Sequence, residues 1–239
     1  MKLKRTTFLL ILISSLLIPV TKVKSQTSLD LNSSITTRHY WRGLMISEAV
    51  NYEGDLVLKS GKFKFGAWGG YAFDDTYSEF DFHLGYAISR HLTFEVWDLY
   101  ASRDRASIND YQYFDFDRNT TNHLIDASIK YDFNDKLPLT VSWSTLIWGR
   151  DLDENNNQNF SSYFELNYRV RVNKTDVTFN LGTNVFANAL YADHTNIVDI
   201  GLTASQEFKI NEQVKIPVWA KVAINPDAEK ANLIIGFNF

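Results

Sequence analysis

Three chemically active side chains fall at alternate positions of one short segment: Glu79, Asp81 and His83. Alternate residues of an extended strand share a face, so two carboxylates and one imidazole would point in the same direction. Carboxylate oxygens and an imidazole nitrogen can together bind a metal cation. The same residues can instead form ion pairs with basic side chains on neighbouring strands. We favour the second interpretation, and the sequence predicts no bound metal or other cofactor.

The elements that must position these residues are strands, because apolar and polar residues alternate along most of the chain. The alternation predicts an all-β, single antiparallel up-and-down transmembrane barrel of about twelve strands. The predicted strands are roughly 28–40, 48–59, 62–73, 77–89, 91–102, 122–133, 137–149, 158–172, 175–187, 196–210, 214–225 and 230–239. Most of them match the 9 to 11 tilted residues that cross a membrane.

The predicted links alternate between tight turns and longer loops, an asymmetry typical of outer-membrane barrels. Arg42–Ser47 is the first of the longer loops. The aromatic and acidic link Arg103–Thr121 has three interpretations: a gate folded into the barrel, an outward binding hairpin, or a plain extension of two strands. A secreted sandwich has the same alternation with its apolar faces turned inward, but strand length and loop asymmetry favour the barrel.

Both ends of the chain favour export and membrane assembly. Met1–Ser25 combines early basic residues with an apolar run too short to span a bilayer, and it predicts a cleaved secretory signal. Residues 26–239 then form a single barrel domain. The aromatic Phe237 and Phe239 resemble the terminal signal read by the barrel assembly machinery. The predicted location is the bacterial outer membrane, with its lipids as partners.

Net charge excludes one class of partner. The predicted signal holds five basic residues and no acidic one, so its removal lowers the formal net charge from −4 to −9. Nucleic-acid binding relies on basic side chains that neutralise phosphates. We therefore predict no nucleic-acid partner. There are no cysteines, and hence no disulfide framework.

One face of each predicted strand is apolar and would contact lipid, as Phe63, Phe65, Phe80 and Phe94 do in the first half of the chain. Aromatic residues near the short turns, including Tyr131, Phe133, Tyr168 and Phe208, would form a girdle at the lipid headgroups. Asp98 breaks the pattern because strict alternation points it at lipid. A bulge near Trp97, or a position above the membrane, would resolve the conflict.

The opposite faces would line the lumen with charges of both signs. The predicted lumen residues are Glu53, Asp55, Lys62, Lys64, Trp68, Glu79, Asp81, His83, Glu95, Asp126, Lys130, Glu165, Arg169, Arg171, Asp199, Glu207 and Lys209. The basic members cluster toward the short turns, and the acidic members lie toward the longer loops. This predicts an acidic outer mouth above a basic inner exit, which would favour entry of cations.

Several motifs between residues 28 and 100 follow one another in a recognisable order. They are SSITTRHYWRGL at Ser33–Leu44, Gly54 with Leu56, Gly66–Trp68, Glu79–Asp81 and Gly85–Tyr86. In order and spacing they resemble the TorF-like porin family, although Leu44 stands where isoleucine is usual. The resemblance implies an outer-membrane pore, and it marks Arg42, Gly43, Trp68, Glu79 and Asp81.

The predicted function is passive diffusion of small hydrophilic solutes or ions through a charged lumen. A closed structural or adhesion barrel that acts through its outer loops is the alternative. A lipid-modifying enzyme is less favoured, because an enzyme needs a nucleophile, a base and an orienting group within reach of one another. His39 is the main candidate for a lipid-facing base, and no serine and acid set accompanies it.

Overall fold

The computed structural model describes residues 27–101, 112–186, 188, 190–212 and 214–239. The predicted signal Met1–Ser25 lies outside these residues. Residues 103–111 of the long link after the fifth predicted strand also lie outside them. No helix in the described ranges is long and apolar enough to cross a membrane.

The chain forms a closed antiparallel barrel of twelve strands, which confirms the predicted fold class. The barrel strands are β1 (Thr27–Thr36), β4 (Asn51–Ser60), β5 (Phe63–Ala72), β6 (Ser78–Ala87), β7 (Leu92–Tyr100), β8 (His123–Asp132), β9 (Leu139–Gly149), β10 (Ser162–Val172), β11 (Thr175–Asn184), β12 (Asn196–Lys209), β13 (Lys215–Asn225) and β14 (Lys230–Asn238). Two further strands, β2 (His39–Trp41) and β3 (Leu44–Ser47), pair only with each other. Neighbours in sequence pair throughout the barrel, and β1 closes it by pairing with both β4 and β14.

Strand β1 is the clearest departure from the predicted boundaries. It ends at Thr36 rather than near residue 40, because β2 and β3 turn away from the barrel wall as a separate hairpin. The predicted first outer loop, Arg42–Ser47, is therefore wrong in its placement. Its residues form the turn and second strand of this hairpin.

The outside of the barrel is apolar, as the alternation predicts. Large side chains on this face stay exposed along the strands, among them Leu31 at 67% and Phe63 at 57%. The aromatic residues predicted for the girdle are also exposed: Tyr131, Phe133, Tyr168, Phe208 and Phe239. On the inward face of β5 and β6 the ring of His83 lies over Gly66, where a Cβ would come within 2.1 Å of Nε2.

Asp98 keeps its outward position without a bulge. The register places it opposite Phe82 on β6, and the pairing of β7 with β8 is unbroken from Leu92 to Tyr100. Of the two predicted explanations, the bulge near Trp97 is therefore wrong, and the position above the membrane stays a prediction. The irregularity in this part of the barrel lies between Ile125 and Asp126, where β8 pairs with β9.

Two contacts stabilise the outward carboxylate of Asp98: a hydrogen-bonded histidine and the aromatic ring that covers this histidine. His123 places Nδ1 at 2.6 Å from Asp98 and Nε2 at 2.7 Å from the carbonyl oxygen of Tyr113. The ring of Phe116 stacks on the imidazole at 4.7 Å between centroids. Contacts of Tyr113 and Phe116 thus place the described part of this link against the outside of the barrel, whereas residues 103–111 lie outside the described ranges and the three interpretations of the whole link stay predictions.

Candidate functional site

The candidate site is the space around the hairpin of β2 and β3, which we call the lumen hairpin (residues 39–47). A two-residue turn joins its strands, and Arg42 and Gly43 both have positive φ angles, of 48° and 86°. Positive φ at both central positions defines a turn whose twist suits a tight hairpin, and glycine is favoured in it. The sequence Trp41-Arg42-Gly43-Leu44 therefore folds back sharply.

Gly43 is required at the tip for a second reason. A Cβ at this position would lie 2.3 Å from the carbonyl oxygen of Val198 on β12. The backbone of the turn thus approaches the backbone of the wall more closely than any side chain would allow. Asn225 of β13 fixes this approach, because its Nδ2 donates a 3.1 Å hydrogen bond to the carbonyl oxygen of Gly43.

One side of the hairpin packs tightly against the wall formed by β10 to β13, which we call the packed side. The Tyr40 hydroxyl donates a 3.0 Å hydrogen bond to Asp199, and the Nζ of Lys221 lies 4.7 Å from the centre of the Tyr40 ring. The hairpin residues Trp41 and Leu44 pack on a buried apolar cluster. The cluster consists of Tyr163, Tyr191, Ala192 and Val198.

Arg42 connects this packed side to β8. Its Nη2 lies 2.5 Å from Oδ2 of Asp126, and its Nη1 donates a 3.2 Å hydrogen bond to the Tyr191 hydroxyl. The guanidinium carbon also lies 4.5 Å from the centre of the Trp41 ring. Burial raises the pKa of Tyr191, which lies in the link between β11 and β12, to about 12. Its hydroxyl therefore stays protonated at neutral pH.

The base of the hairpin is held to β4 by His39. The Nδ1 of His39 lies 2.8 Å from Oε1 of Glu53, and its ring stacks on Tyr77 at 5.3 Å between centroids. The Trp68 ring lies 5.5 Å away on another side. His39 is thus enclosed by the barrel, so its predicted position facing lipid is wrong.

The other side of the hairpin, facing β4 to β8, stays open. A cavity of about 630 Å³ separates the hairpin from this wall. Its lining comprises His39, Trp41, Arg42, Leu44, Met45, Ile46, Glu53, Trp68, Glu79, Asp81, Glu95, Trp97, Leu99, Ala101, Leu124, Asp126, Ser128, Arg150 and Leu190. We call this space the open-side cavity.

A second cavity of about 500 Å³ continues from the first. The two share Glu53 and Trp68 in their linings, and the second extends to Asp55 and to Lys215 near a short turn. The two cavities therefore lie one after the other along the inside of the barrel. Glu53 and Trp68 mark the point where they meet.

Glu79, Asp81 and His83 share a strand face as predicted, and the acidic groups of Glu79 and Asp81 also interact with each other. Nε2 of His83 lies 2.8 Å from Asp55, and its ring stacks on Trp97 at 4.1 Å. Asp81 accepts a 2.9 Å hydrogen bond from the backbone N–H of Tyr100, and Glu79 accepts one from the Tyr77 hydroxyl. Within the described ranges, no group of three or more His, Asp or Glu residues is arranged to hold a metal ion.

Most of the remaining predicted lumen charges form ion pairs, on the same strand, on adjacent strands or, for Lys64 and Glu95, from β5 to β7 across Gly85 of β6. The pairs are Lys64 with Glu95, Lys130 with Asp132, Arg171 with Asp176, Asp199 with Lys221 and Glu207 with Lys215. Glu165 accepts hydrogen bonds from the Tyr163 hydroxyl and from Asn167. Arg169 and Lys209 lie exposed near the short turns.

Lys62 departs from its predicted place in the lumen. It lies in the turn after β4, and its ammonium group stands 5.8 Å from the centre of the Tyr86 ring. Tyr86 pairs with Phe63 and Phe94 on the outer face. Lys62 therefore belongs to the rim of the barrel on its outer side.

Sequence reasoning did not find the aromatic residues that hold the hairpin. Tyr163 and Tyr191 pack on the hairpin, Tyr40 of the hairpin itself binds Asp199, and Trp97 lines the open-side cavity. The one available signal was the Arg42-Gly43 pair between two apolar residues, which is typical of a tight hairpin turn. Nothing in the sequence indicates which wall such a hairpin packs against.

No family model matches the chain, and no curated protein matches it. The resemblance to the TorF-like porins therefore stays a prediction. Among solved structures, the barrel is similar to the KdgM porin, with 9% identity, 90% of this chain and 98% of that chain covered, and a TM-score of 0.44. It is similar to the COG4313 outer membrane channel from Pseudomonas putida F1, with 11% identity, coverage of 92% and 95%, and a TM-score of 0.44. A mutant of the Rh. blastica porin matches with 13% identity over 79% of this chain and a TM-score of 0.41, and this chain spans 55% of the length of that porin.

Proposed function

We propose that this protein is a bacterial outer-membrane pore for passive diffusion of small hydrophilic solutes or ions. The observation that carries the proposal is the one-sided packing of the lumen hairpin. It is held against β10 to β13 and leaves about 630 Å³ open toward β4 to β8. Protein interiors are normally close-packed, so a barrel built only for stability would fill both sides.

The membrane location in this proposal is supported by the surface. The exposed apolar side chains extend over the strands around the barrel, including Leu31, Phe65, Phe179 and Leu233. A soluble protein rarely exposes an apolar area of that extent, whereas lipid tails cover it without cost. A closed barrel also satisfies its backbone hydrogen bonds between strands, as the hydrocarbon layer requires. Outer-membrane lipids are therefore its proposed surroundings, and the barrel assembly machinery its proposed route there.

The charges around the open-side cavity favour cations. Acidic side chains outnumber basic ones in its lining, and Glu79 and Asp81 take part in no ion pair with the described residues. Fixed negative charge at a narrow point attracts cations and repels anions. The pore should consequently pass cations more readily than anions of similar size.

Planar-bilayer recording of the purified protein in a KCl gradient tests both claims. We expect steady openings and a reversal potential shifted toward that of K⁺. The variant Glu79→Gln with Asp81→Asn should reduce this shift. Its matched control is Asp135→Asn with Glu212→Gln, which removes the same charge from two exposed short turns and should leave the shift unchanged.

Absence of openings under these conditions would contradict the proposed pore. Clear anion selectivity in both the native protein and the Glu79 and Asp81 variant would contradict the role of the carboxylates.

A further inference from the structure

We infer that the open-side cavity is a binding site for a small organic cation: an ammonium or guanidinium group carried on an apolar, planar body. The inference rests on the proposed function, and it names the class of solute that this pore would retain. Three features of the cavity carry it: its apolar walls, its excess of carboxylates, and a buried oxygen without a partner.

The walls are the first feature. Trp41, Trp68 and Trp97 all line the cavity, and aliphatic residues of the hairpin, including Met45 and Ile46, complete one side. A passage for hydrated inorganic ions has no use for three indole rings. Indole faces attract organic cations through their ring quadrupole, most strongly where water is excluded. Their flat surface also buries the apolar body of a ligand.

The excess of acidic over basic side chains is the second feature. The lining holds five carboxylates, Glu53, Glu79, Asp81, Glu95 and Asp126, against the guanidinium groups of Arg42 and Arg150. Three of the carboxylates have basic or imidazole partners, which are His39, Lys64 and Arg42. Among the described residues, Glu79 and Asp81 form no ion pair; their contacts are hydrogen bonds from Tyr77 and Tyr100 and the interaction between the two acidic groups themselves.

The third feature is a single atom. Asp126 is 3% exposed, and its Oδ2 binds Arg42, but its Oδ1 is buried and has no hydrogen-bond partner in the described structure. Leaving a buried carboxylate oxygen without a donor is costly. Because Asp126 lines the cavity, a ligand bearing N–H groups could supply the missing donor.

The size of the space limits the ligand. A volume of about 630 Å³ lies within the range of small-molecule sites. An ammonium or guanidinium group provides several N–H donors for the carboxylates, and the remaining volume accommodates an aromatic or branched aliphatic body. A bare divalent metal would need a converging set of oxygen ligands, which this lining does not offer in the described residues.

Isothermal titration calorimetry on the full, detergent-solubilised barrel tests the inference without any need for conduction. The probes are phenethylammonium, phenethyl alcohol and 3-phenylpropionate, which share an aromatic body and differ in charge. We expect phenethylammonium to bind at least tenfold more tightly than the alcohol, and 3-phenylpropionate to give no detectable binding.

Two variants locate the site. Glu79→Gln with Asp81→Asn should weaken phenethylammonium binding at least tenfold, whereas the control Asp135→Asn with Glu212→Gln should bind as the native protein does. Trp97→Leu keeps an apolar side chain but removes the indole face, and it should weaken binding of the ammonium more than binding of the alcohol. Unchanged heat-modified migration in gels would show that each variant is folded.

The inference is overturned if the alcohol binds as tightly as the ammonium, or if the Glu79 and Asp81 variant binds it unchanged. Steady openings in bilayers without phenethylammonium binding would overturn the site and support the pore. Binding without any openings would support the site and overturn the pore.

Discussion

The two sides of the lumen hairpin differ in almost every physical respect. Toward β10 to β13 it meets a buried aromatic cluster and comes within a few ångströms of the backbone of the wall. Toward β4 to β8 it meets a cavity rich in carboxylates. Both walls belong to one barrel, and the strands of both show the same alternation of apolar and polar residues. The difference shows that a hairpin inside a barrel can pack closely against one wall and reach the other through separate polar contacts, such as Arg42 with Asp126, so that a cavity remains between them.

Arg42 is the residue on which both sides depend, and its removal should have the largest effect. Arg42→Ala would leave the buried Asp126 without its charged partner, at an expected cost of about 3 to 5 kcal/mol in the free energy of unfolding. Urea unfolding in lipid vesicles measures this cost. The double variant with Asp126→Ala should recover part of it. An unfolding midpoint unchanged in Arg42→Ala would contradict the role of the pair.

Equivalent truncations on the two sides sharpen the comparison. Tyr163→Ala empties part of the packed cluster and should cost about 3 kcal/mol in the free energy of unfolding. Trp68→Ala removes a half-buried ring from the edge of the cavity and should cost about 1 kcal/mol, because less apolar area is lost. Single-channel conductance should rise clearly in Trp68→Ala, even though the loss of stability is small. Equal losses of stability would contradict the distinction between the sides.

Gly43→Ala tests whether the hairpin can be released from the packed side. The new Cβ would meet the carbonyl oxygen of Val198 at a backbone angle that alanine avoids, at an expected cost of about 2 to 3 kcal/mol. Conductance should become larger or noisier as the tip separates from the wall. Gly69→Ala is the control, because a Cβ there would meet its nearest neighbour at an ordinary 3.7 Å.

The smallest expected effect is a pH dependence at the loop that supplies Tyr191 to the packed side. A hydrogen bond to Asp193 raises the pKa of His194 above its usual 6.5, and the ring also lies 3.4 Å from Asp227 of another loop. Because the pKa of His194 is raised in the folded protein, the stabilisation that its charged ring provides is complete below about pH 6.5. This stabilisation is lost as the pH rises through the folded-state pKa.

Titration of the His194 ring by NMR measures this shift directly. Asp193→Asn should bring the pKa back toward its ordinary value, because the principal hydrogen bond to the carboxylate is gone. A titration that is the same in both proteins would contradict the assignment.

The barrel itself was predictable because period-two alternation and strand length are properties of local sequence. The outward Phe63 and Phe65 and the inward Asp81 and His83 follow from parity alone. The charged face of each strand could be listed for the same reason. Lys62 escaped this rule because it lies in a turn, where parity no longer defines direction.

The hairpin was not predictable in the same way. Its residues, such as His39 and Arg42, look like those of any polar loop after a strand, and their partners Glu53, Asp126 and Asp199 lie on three separate strands. Asp98 gives a second example. Strict alternation gives its outward direction, which the sequence analysis treated as a conflict, because its partner His123 and the cover from residues 112–121 depend on tertiary contacts that alternation does not encode.

The long sequence separation of the hairpin contacts has a consequence for the order of folding. Gly43 binds Asn225, 182 residues further along the chain, and Tyr40 binds Asp199, 159 residues further along. Contacts of such high contact order form only after the entropy of closing long loops has been overcome. The tip can therefore dock only once the last strands are in place, at the same late stage as the pairing of β1 with β14 that closes the barrel.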